Sequence, residues 1–445
     1  MTARPPLRTD YLTSALDSAL DDVSPIESRG RVLEAVGTLI RASGINARVG
    51  DVCELRHPHS NWRLRAEVVG IARQAVLLMP FGDIDGISAQ TEVVNLDSPQ
   101  YVKVGSALLG RIVDGFGEPI DERGPINSPT LYPVRAPAPR ALKRRRVTTP
   151  VQTGVRAIDG LLTCGEGQRV GIFAPAGAGK SSLMAMIARG TAADVTVIAL
   201  VGERGREVGE FLQAVMPPET RARTVCVVAT SDRPAVERAK APNVATAIAE
   251  YFRDQGKSVL FLVDSVTRYA RALREIGLAA GEPPARRGFP PSVFTALPRL
   301  FERAGQGERG AITAFFSVLV DDEEGGDPIG EEMRAILDGH IVLSPALAQA
   351  NQYPAIDVAK SVSRVMPSVT SPEQRRHAAL VGELIAKYKS IEMLVQIGEY
   401  EAGSDARADL ALARREAIDS FLRQDVGETW AFDKTLARLR QVGAE

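Results

Sequence analysis

A chain of 445 residues has room for about three domains of roughly 150 residues each. Its 54 lysines and arginines against 55 aspartates and glutamates exclude both a global basic field for nucleic acid and an acidic, disordered polymer. Cys53, Cys164 and Cys226 lie too far apart for a disulfide framework or a zinc site, and the first residues, MTARPPLRTDYLTSALDS, lack the apolar core of a signal peptide; with no run of about 18 apolar residues anywhere, a soluble cytoplasmic protein is expected.

In residues 1–25, Leu12, Leu16 and Leu20 form one narrow stripe on a short helix, either a solvated tail or a docking segment. Residues 26–105 change to short β-rich runs broken by turns (RVLEAVGTLI, DVCEL, LRAEVVGIA, QAVLLMPF, then YVKVGSALLGRIVD), which predicts a small barrel. PVRAPAPRALKRRR, residues 133–146, carries six basic residues and no acid, and its prolines favour an extended, solvated linker. Over 106–370, apolar runs such as QRVGIFA, VTVIALVGE, TVCVVAT, SVLFLVDS and AITAFFSVLV alternate with helical stretches. That alternation predicts an α/β domain with a mostly parallel sheet covered on both faces. Residues 371–445 show only helical spacing, with Val381, Leu384, Ile385, Tyr388 and Ile391 on one stripe, and are expected to form a small helical domain.

The stretch FAPAGAGKSS, 173–182, nearly matches the phosphate-loop pattern G-x-x-x-x-G-K-[ST], with Ala174 where that pattern has glycine and Pro175 after it. A strand-like run precedes it and a helical one follows. Ala176, Gly177, Ala178 and Gly179 would turn successive N–H groups into one concavity at a helix N-terminus, an anion site before any side chain is counted. Lys180 adds a positive charge for terminal phosphates, Ser181 offers a hydroxyl to magnesium, and Ser182 continues the cradle. Asp264 closes the apolar run SVLFLVDS, where a carboxylate can hold magnesium. Glu203 and Arg204, in LVGERGREVGE, stand at the same sheet edge, either to orient an attacking water or as part of a solvated loop.

Longer blocks carry a family resemblance over about four fifths of the chain: TGVRAIDGLLTCGEGQRVGIFA, GERGREVGEF, ATSDRPAVERAKA, AIAEYFRDQGKSVLFLVDSVTRYARALREIGLAAGEPP, GFPPSVFTALPRLFERAGQGERGAITAFFSVL, ILDGHIVLS and YPAIDVAKSVSRVMP. The sequence resembles the ATPases of type III secretion systems, relatives of the flagellar export ATPase and of the catalytic subunit of rotary ATP synthases. The resemblance implies a RecA-like P-loop core and ATP with Mg2+ as ligands. It implies Glu203 as the catalytic glutamate, with Arg204 in the phosphate shell and Arg268 facing the γ-phosphate. It further implies Tyr353 beside adenine and Arg364 as an arginine finger reaching into a neighbouring subunit. In relatives the loop also opens with alanine, so Ala174 is accounted for and Pro175 is not.

The partners it implies are further copies of the chain in a homohexamer, a central stalk, stator or regulator proteins, an export gate and chaperone–effector complexes. It places the ring at the cytoplasmic face of the inner membrane, attached peripherally. Within the family, the LLTCGEGQR and ATSDRPAVERAKA forms point to the injectisome rather than the flagellum. A ring RNA helicase would need stacking aromatics and basic groups on its barrel. Residues 31–105 offer only Trp62, Phe81 and Tyr101, scattered among acids, so no nucleic acid partner is expected. Glu203 argues against a non-catalytic nucleotide-holding subunit, which would lack a carboxylate there, and a purely structural docking ring would be supported only if a Glu203 substitution left secretion intact.

Overall fold

The computed structural model describes residues 28–320 and 327–444, so the expected N-terminal docking segment lies outside the described residues. The chain divides into two compact units, 1–100 and 101–445.

In the first unit the short β-rich runs become β1 (Arg29–Val36), β2 (Leu39–Ser43), β3 (Asp51–Arg56), β4 (Arg63–Ile71), β5 (Val76–Pro80) and β6 (Glu92–Pro99). They pair in the order β1-β2-β5-β4-β3-β6, and β1 closes antiparallel on β6. Val32, Ile40, Ala42, Leu55, Val68, Leu78 and Val93 form the barrel's apolar interior, with clear in–out alternation along β2 and the first half of β1 and consecutive buried residues such as Ala66, Glu67 and Val68 in β4. Cys53 is buried there too, and burial pushes its thiol up to about 12, so it is a packing residue. The run YVKVGSALLGRIVD adds nothing to the barrel. Once β1 meets β6 no edge is left for a seventh strand, so β7 (Tyr101–Val104) pairs instead with β9 (Thr130–Pro133), and β8 (Ile112–Asp114) joins the sheet of the second unit.

That sheet is built from β10 (Arg169–Ala174), β11 (Val195–Val201), β12 (Thr224–Ala229), β13 (Ser258–Asp264), β14 (Gly305–Gln306), β15 (Ala311–Leu319), β16 (Gly339–Val342) and β17 (Val362–Ser363). The order is β17-β16-β10-β15-β13-β11-β12-β8, parallel from β16 to β8, with β17 antiparallel at one edge and β14 folded back on β15. All seven residues of β11 are buried, the signature of a strand covered on both faces. Its side chains divide by parity: Val197, Ala199 and Val201 enter one apolar core with the helices Ala235–Asp254, Val266–Ala279 and Pro291–Phe301. Ile198 and Leu200 enter a second core with the helices Arg156–Leu161, Lys180–Gly190 and Gly205–Val215.

Of the three C-terminal helices, Pro372–Gln396, Ala406–Leu422 and Phe432–Val442, the first two begin at side-chain caps. The Ser371 hydroxyl accepts the Gln374 N–H (3.1 Å) ahead of Pro372, and Asp405 accepts from Arg407 (2.9 Å) and Ala408 (3.1 Å). Val381, Leu384, Ile418 and Phe421 pack into the second core alongside strand residues, so these helices are a third layer of the same unit. Basic Arg144 and Arg145 of the proline-rich stretch are tied down as well, Arg144 donating to the Ala304 carbonyl at 3.1 Å and Arg145 to the Gly307 carbonyl at 3.3 Å.

One buried acid stands where the C-terminal layer meets the core. Asp159 is fully buried and accepts from the Thr153 N–H (2.8 Å), the Thr153 hydroxyl (2.7 Å) and the Gly154 N–H (3.0 Å), yet burial outweighs these bonds and lifts its carboxyl to about 7. A raised folded-state pKa makes its contribution to stability complete below the unfolded value near 4 and lost as pH rises through about 7. The thermal midpoint of Asp159→Asn should therefore change less between pH 5 and pH 8 than that of the wild type; equal slopes would show that Asp159 does not titrate in this window.

Candidate nucleotide site

β10 delivers the chain to the carboxyl edge of the sheet, and its last ladder position is Ala174, whose carbonyl accepts the Val320 N–H at 3.1 Å. Pro175 comes next. It is the first residue past the ladder, so its missing N–H leaves no strand partner unsatisfied, which gives this unusual proline a physical account. The loop then turns back: the Ala178 N–H reaches the Pro175 carbonyl at 3.4 Å, Gly177 has φ 80°, and Gly179, with φ 84°, precedes the helix Lys180–Gly190. Both angles lie in the left-handed region that favours glycine. Ala176 and Gly177 are exposed at the tip, Ala178 is buried beneath it, and Ser181 and Ser182 stand on the helix's first turn.

Lys180 crosses to the neighbouring strand ends. Its Nζ donates to Asp264 Oδ1 at 2.5 Å and to Glu203 Oε1 at 3.4 Å. Asp264 ends β13 and Glu203 follows β11, adjacent parallel strands on which Leu200 pairs in register with Asp264. The Arg268 guanidinium closes the group, pairing with Glu203 Oε2 at 3.1 Å and donating to the Gly202 carbonyl. The Ser265 hydroxyl caps the helix that carries Arg268. Ser181, Leu200, Glu203, Glu207, Val208, Phe211 and Asp264 line a small cavity beside this cluster. Burial, and after it the charge of Asp264, push the Glu203 carboxyl above the ordinary range, against the opposing pull of Lys180 and Arg268. A buried carboxylate with a raised pKa, held next to a fixed cation, is suited to accept a proton from water.

Other expected residues lie elsewhere. Arg204 directs its side chain into solvent, 78% exposed, and pairs with Glu207 at 3.3 Å. Tyr353 lies against the loop: a methyl built on Gly179 would meet its ring at 3.4 Å. Arg364 follows β17 and donates to the Arg334 carbonyl at 3.2 Å, with no hydrogen bond or ion pair to Lys180, Glu203 or Asp264 of its own chain. Two participants escaped sequence reasoning. Ser317 donates its hydroxyl to Asp264 Oδ1 at 2.7 Å, and the signal was a lone hydroxyl late in the buried run AITAFFSVL. Glu207, on the first turn of the helix Gly205–Val215, lines the same cavity as Glu203, which precedes that helix.

Comparison with known proteins completes the picture. Residues 154–363 match the family model of the ATP synthase alpha/beta family, nucleotide-binding domain; 32–97 match that family's beta-barrel domain and 370–441 the T3SS EscN ATPase C-terminal domain. The type 3 secretion system ATPase of Xanthomonas euvesicatoria is 54% identical over 434 residues, covering 98% of both chains. The chain belongs to the type 3 secretion system ATPase family. It is therefore an ATPase of type III protein secretion, as the sequence blocks implied. The flagellum-specific ATP synthase of Treponema pallidum is also similar, at 47% identity over 421 residues, 95% of this chain and 94% of that one. The solved structure of assembled EscN in complex with its central stalk EscO, from enteropathogenic E. coli, superimposes with a TM-score of 0.87 at 48% identity, covering 93% of this chain and all of that one. Among the described residues of this ATPase, no helix is long and apolar enough to cross a membrane.

Proposed function

We propose that this ATPase hydrolyses magnesium ATP at sites shared between copies of itself in a homohexamer, and that the cycle releases chaperones from export substrates and unfolds them. The observation that carries the reading is the meeting of Lys180, Glu203, Asp264 and Arg268 at the carboxyl ends of β10, β11 and β13. In this reading the N–H groups of 176–182 and the Lys180 ammonium hold the β- and γ-phosphates. Glu203 takes the proton of the attacking water, and Arg268 keeps that carboxylate aimed. The Ser181 hydroxyl and the Asp264 carboxylate are hard oxygen donors at one cavity wall, a set that fits magnesium and would hold it. When bound, magnesium neutralises charge on the transferring phosphoryl group. Tyr353 stacks on adenine. Arg204, turned outward, serves the phosphate shell only if the loop that carries it swings inward.

Arg364 supplies the transition-state cation to the site of a neighbouring copy. Its separation from the site of its own chain supports that assignment. The assembled EscN with its central stalk supports a ring around a stalk for this chain as well. Stator or regulator proteins, an export gate and chaperone–effector complexes are the remaining partners of this reading, with peripheral attachment at the cytoplasmic face of the inner membrane. Residues 1–25 would dock the ring, 26–105 form its barrel tier, 106–370 hydrolyse, and 371–445 receive cargo. The test is specific ATPase activity against protein concentration. It should rise steeply with concentration and saturate; activity that stays flat on dilution to monomer would sink the shared-site reading.

A further inference from the structure

The segment that joins the second and third C-terminal helices, residues 423–431, leads back to the nucleotide site. Within it Gln424 is buried, and its backbone N–H and both polar groups of its side chain have partners. Its backbone N–H donates to the Tyr353 carbonyl at 2.8 Å. Its side-chain Nε2 donates to the carbonyls of Gly154 (2.8 Å) and Glu428 (3.0 Å), and its Oε1 accepts the Arg156 N–H at 2.9 Å. Gly154 in turn packs against Gly190, the last residue of the helix that opens with Lys180, and accepts the Trp430 N–H at 3.1 Å. Arg156 secures the same corner: its guanidinium donates to the Phe421 (3.0 Å) and Ser420 (3.3 Å) carbonyls and lies 4.5 Å over the Trp430 ring. A primary amide donates twice and accepts, and here it does both in a buried setting, which confines the segment to one position.

We infer that Gln424 is a positioning residue for the nucleotide base. It rests on the reading of Tyr353 as the residue that stacks on that base. The Tyr353 ring is 37% exposed and leans on Gly179, so one face is free to stack only if its main chain is held in place. That main chain is held by the Gln424 N–H, and the Gln424 amide locates the N–H against Gly154 at the far end of the phosphate helix. The seat of the base and the seat of the phosphates are thus referred to one helix, through a residue of the C-terminal layer. The phosphates themselves are bound by loop N–H groups and Lys180, none of which Gln424 touches.

This division sets the experiment. The KM for ATP and the inhibition constant of magnesium tripolyphosphate, which has the phosphates and no base, are measured for wild type, Tyr353→Ala, Gln424→Ala and the similarly sized, uncharged Gln424→Met. The Gln424 variants should raise the KM for ATP roughly three- to tenfold, the loss of one aromatic stacking contact, and leave the tripolyphosphate constant unchanged. The double variant with Tyr353→Ala should be no worse than Tyr353→Ala alone, because Gln424 acts through that ring. If Tyr353→Ala leaves the KM for ATP unchanged, the stacking reading itself is wrong. If Tyr353→Ala raises it and the Gln424 variants do not, or raise both constants equally, the positioning role is overturned. Should Gln424→Ala fail to accumulate as folded protein, Gln424→Met carries the same comparison, since it keeps the length and much of the volume of the side chain, adds no charge and loses the amide's hydrogen bonds.

Discussion

Arg364→Ala lowers the turnover number for ATP by roughly a thousandfold or more, the usual worth of an arginine finger, while the thermal midpoint stays close to that of the wild type. The two halves of this expectation come from one observation. Among the described residues the Arg364 side chain has one hydrogen bond, to the Arg334 carbonyl at the exposed edge of the sheet, so the fold of its own chain should depend little on it. If Arg364 supplies the catalytic cation, as proposed, it does so at a neighbour's site, since in its own chain it bonds to the Arg334 carbonyl and not to Lys180, Glu203 or Asp264. Mixing decides the matter: Lys180→Ala protein retains Arg364 but lacks the phosphate lysine, so neither variant is active alone. Mixed rings of the two should regain part of the activity, because some sites then combine an intact Lys180 with an intact Arg364. Full activity in Arg364→Ala, or no recovery on mixing despite co-assembly, would remove Arg364 from the mechanism.

Glu203→Gln should bind ATP about as well as the wild type and lose some two to four orders of magnitude in turnover, the contribution typical of a positioned general base. The substitution keeps the shape of a side chain that is 11% exposed and leaves Lys180 and Asp264 paired at the sheet edge. Phosphate binding is therefore preserved and only the proton acceptor is lost. The pH profile separates this role from a structural one. Burial and Asp264 raise the Glu203 carboxyl, so the basic form is lost at a higher pH than for an ordinary glutamate. Wild-type kcat should fall as pH drops through that raised range, and the residual rate of Glu203→Gln should not. A glutamine variant that turns over at the wild-type rate would falsify the assignment.

Much of this architecture was legible because it is written locally. Buried parallel strands appear as unbroken apolar runs, the phosphate loop as closely spaced glycines before a lysine, and Asp264 as the one charge at the end of SVLFLVD. What was not legible depends on distant pairing. Ser317 is one hydroxyl in a nine-residue strand, and nothing local says that it faces Asp264 across 53 residues. Gln424 lies 71 positions from Tyr353, and its amide reads in sequence like any surface glutamine. The run Tyr101–Asp114 has the composition of barrel strands, and only closure of β1 on β6 sends it elsewhere. Arg204 follows its strand as expected, but its side chain turns outward and pairs with Glu207 at the surface, a direction that no local pattern specifies.

The pairing of β11 with β13 has a further bearing on how this enzyme tolerates change. Asp264 closes the β13 ladder opposite Leu200 of β11, and Glu203 follows three residues past that pair, so backbone hydrogen bonds between adjacent strands, about 4.8 Å apart, fix the roots from which both acids project. Side chains from both cores support these strands from above and below, and trimming one costs stability of about 1 to 4 kcal/mol without stretching the ruler on which the carboxylates are mounted. Sequence drift in the interior of this sheet is thereby decoupled from the chemistry at its edge: variants such as Ile198→Val or Val263→Ala erode the lifetime of the fold while each surviving molecule keeps the spacing of its two acids.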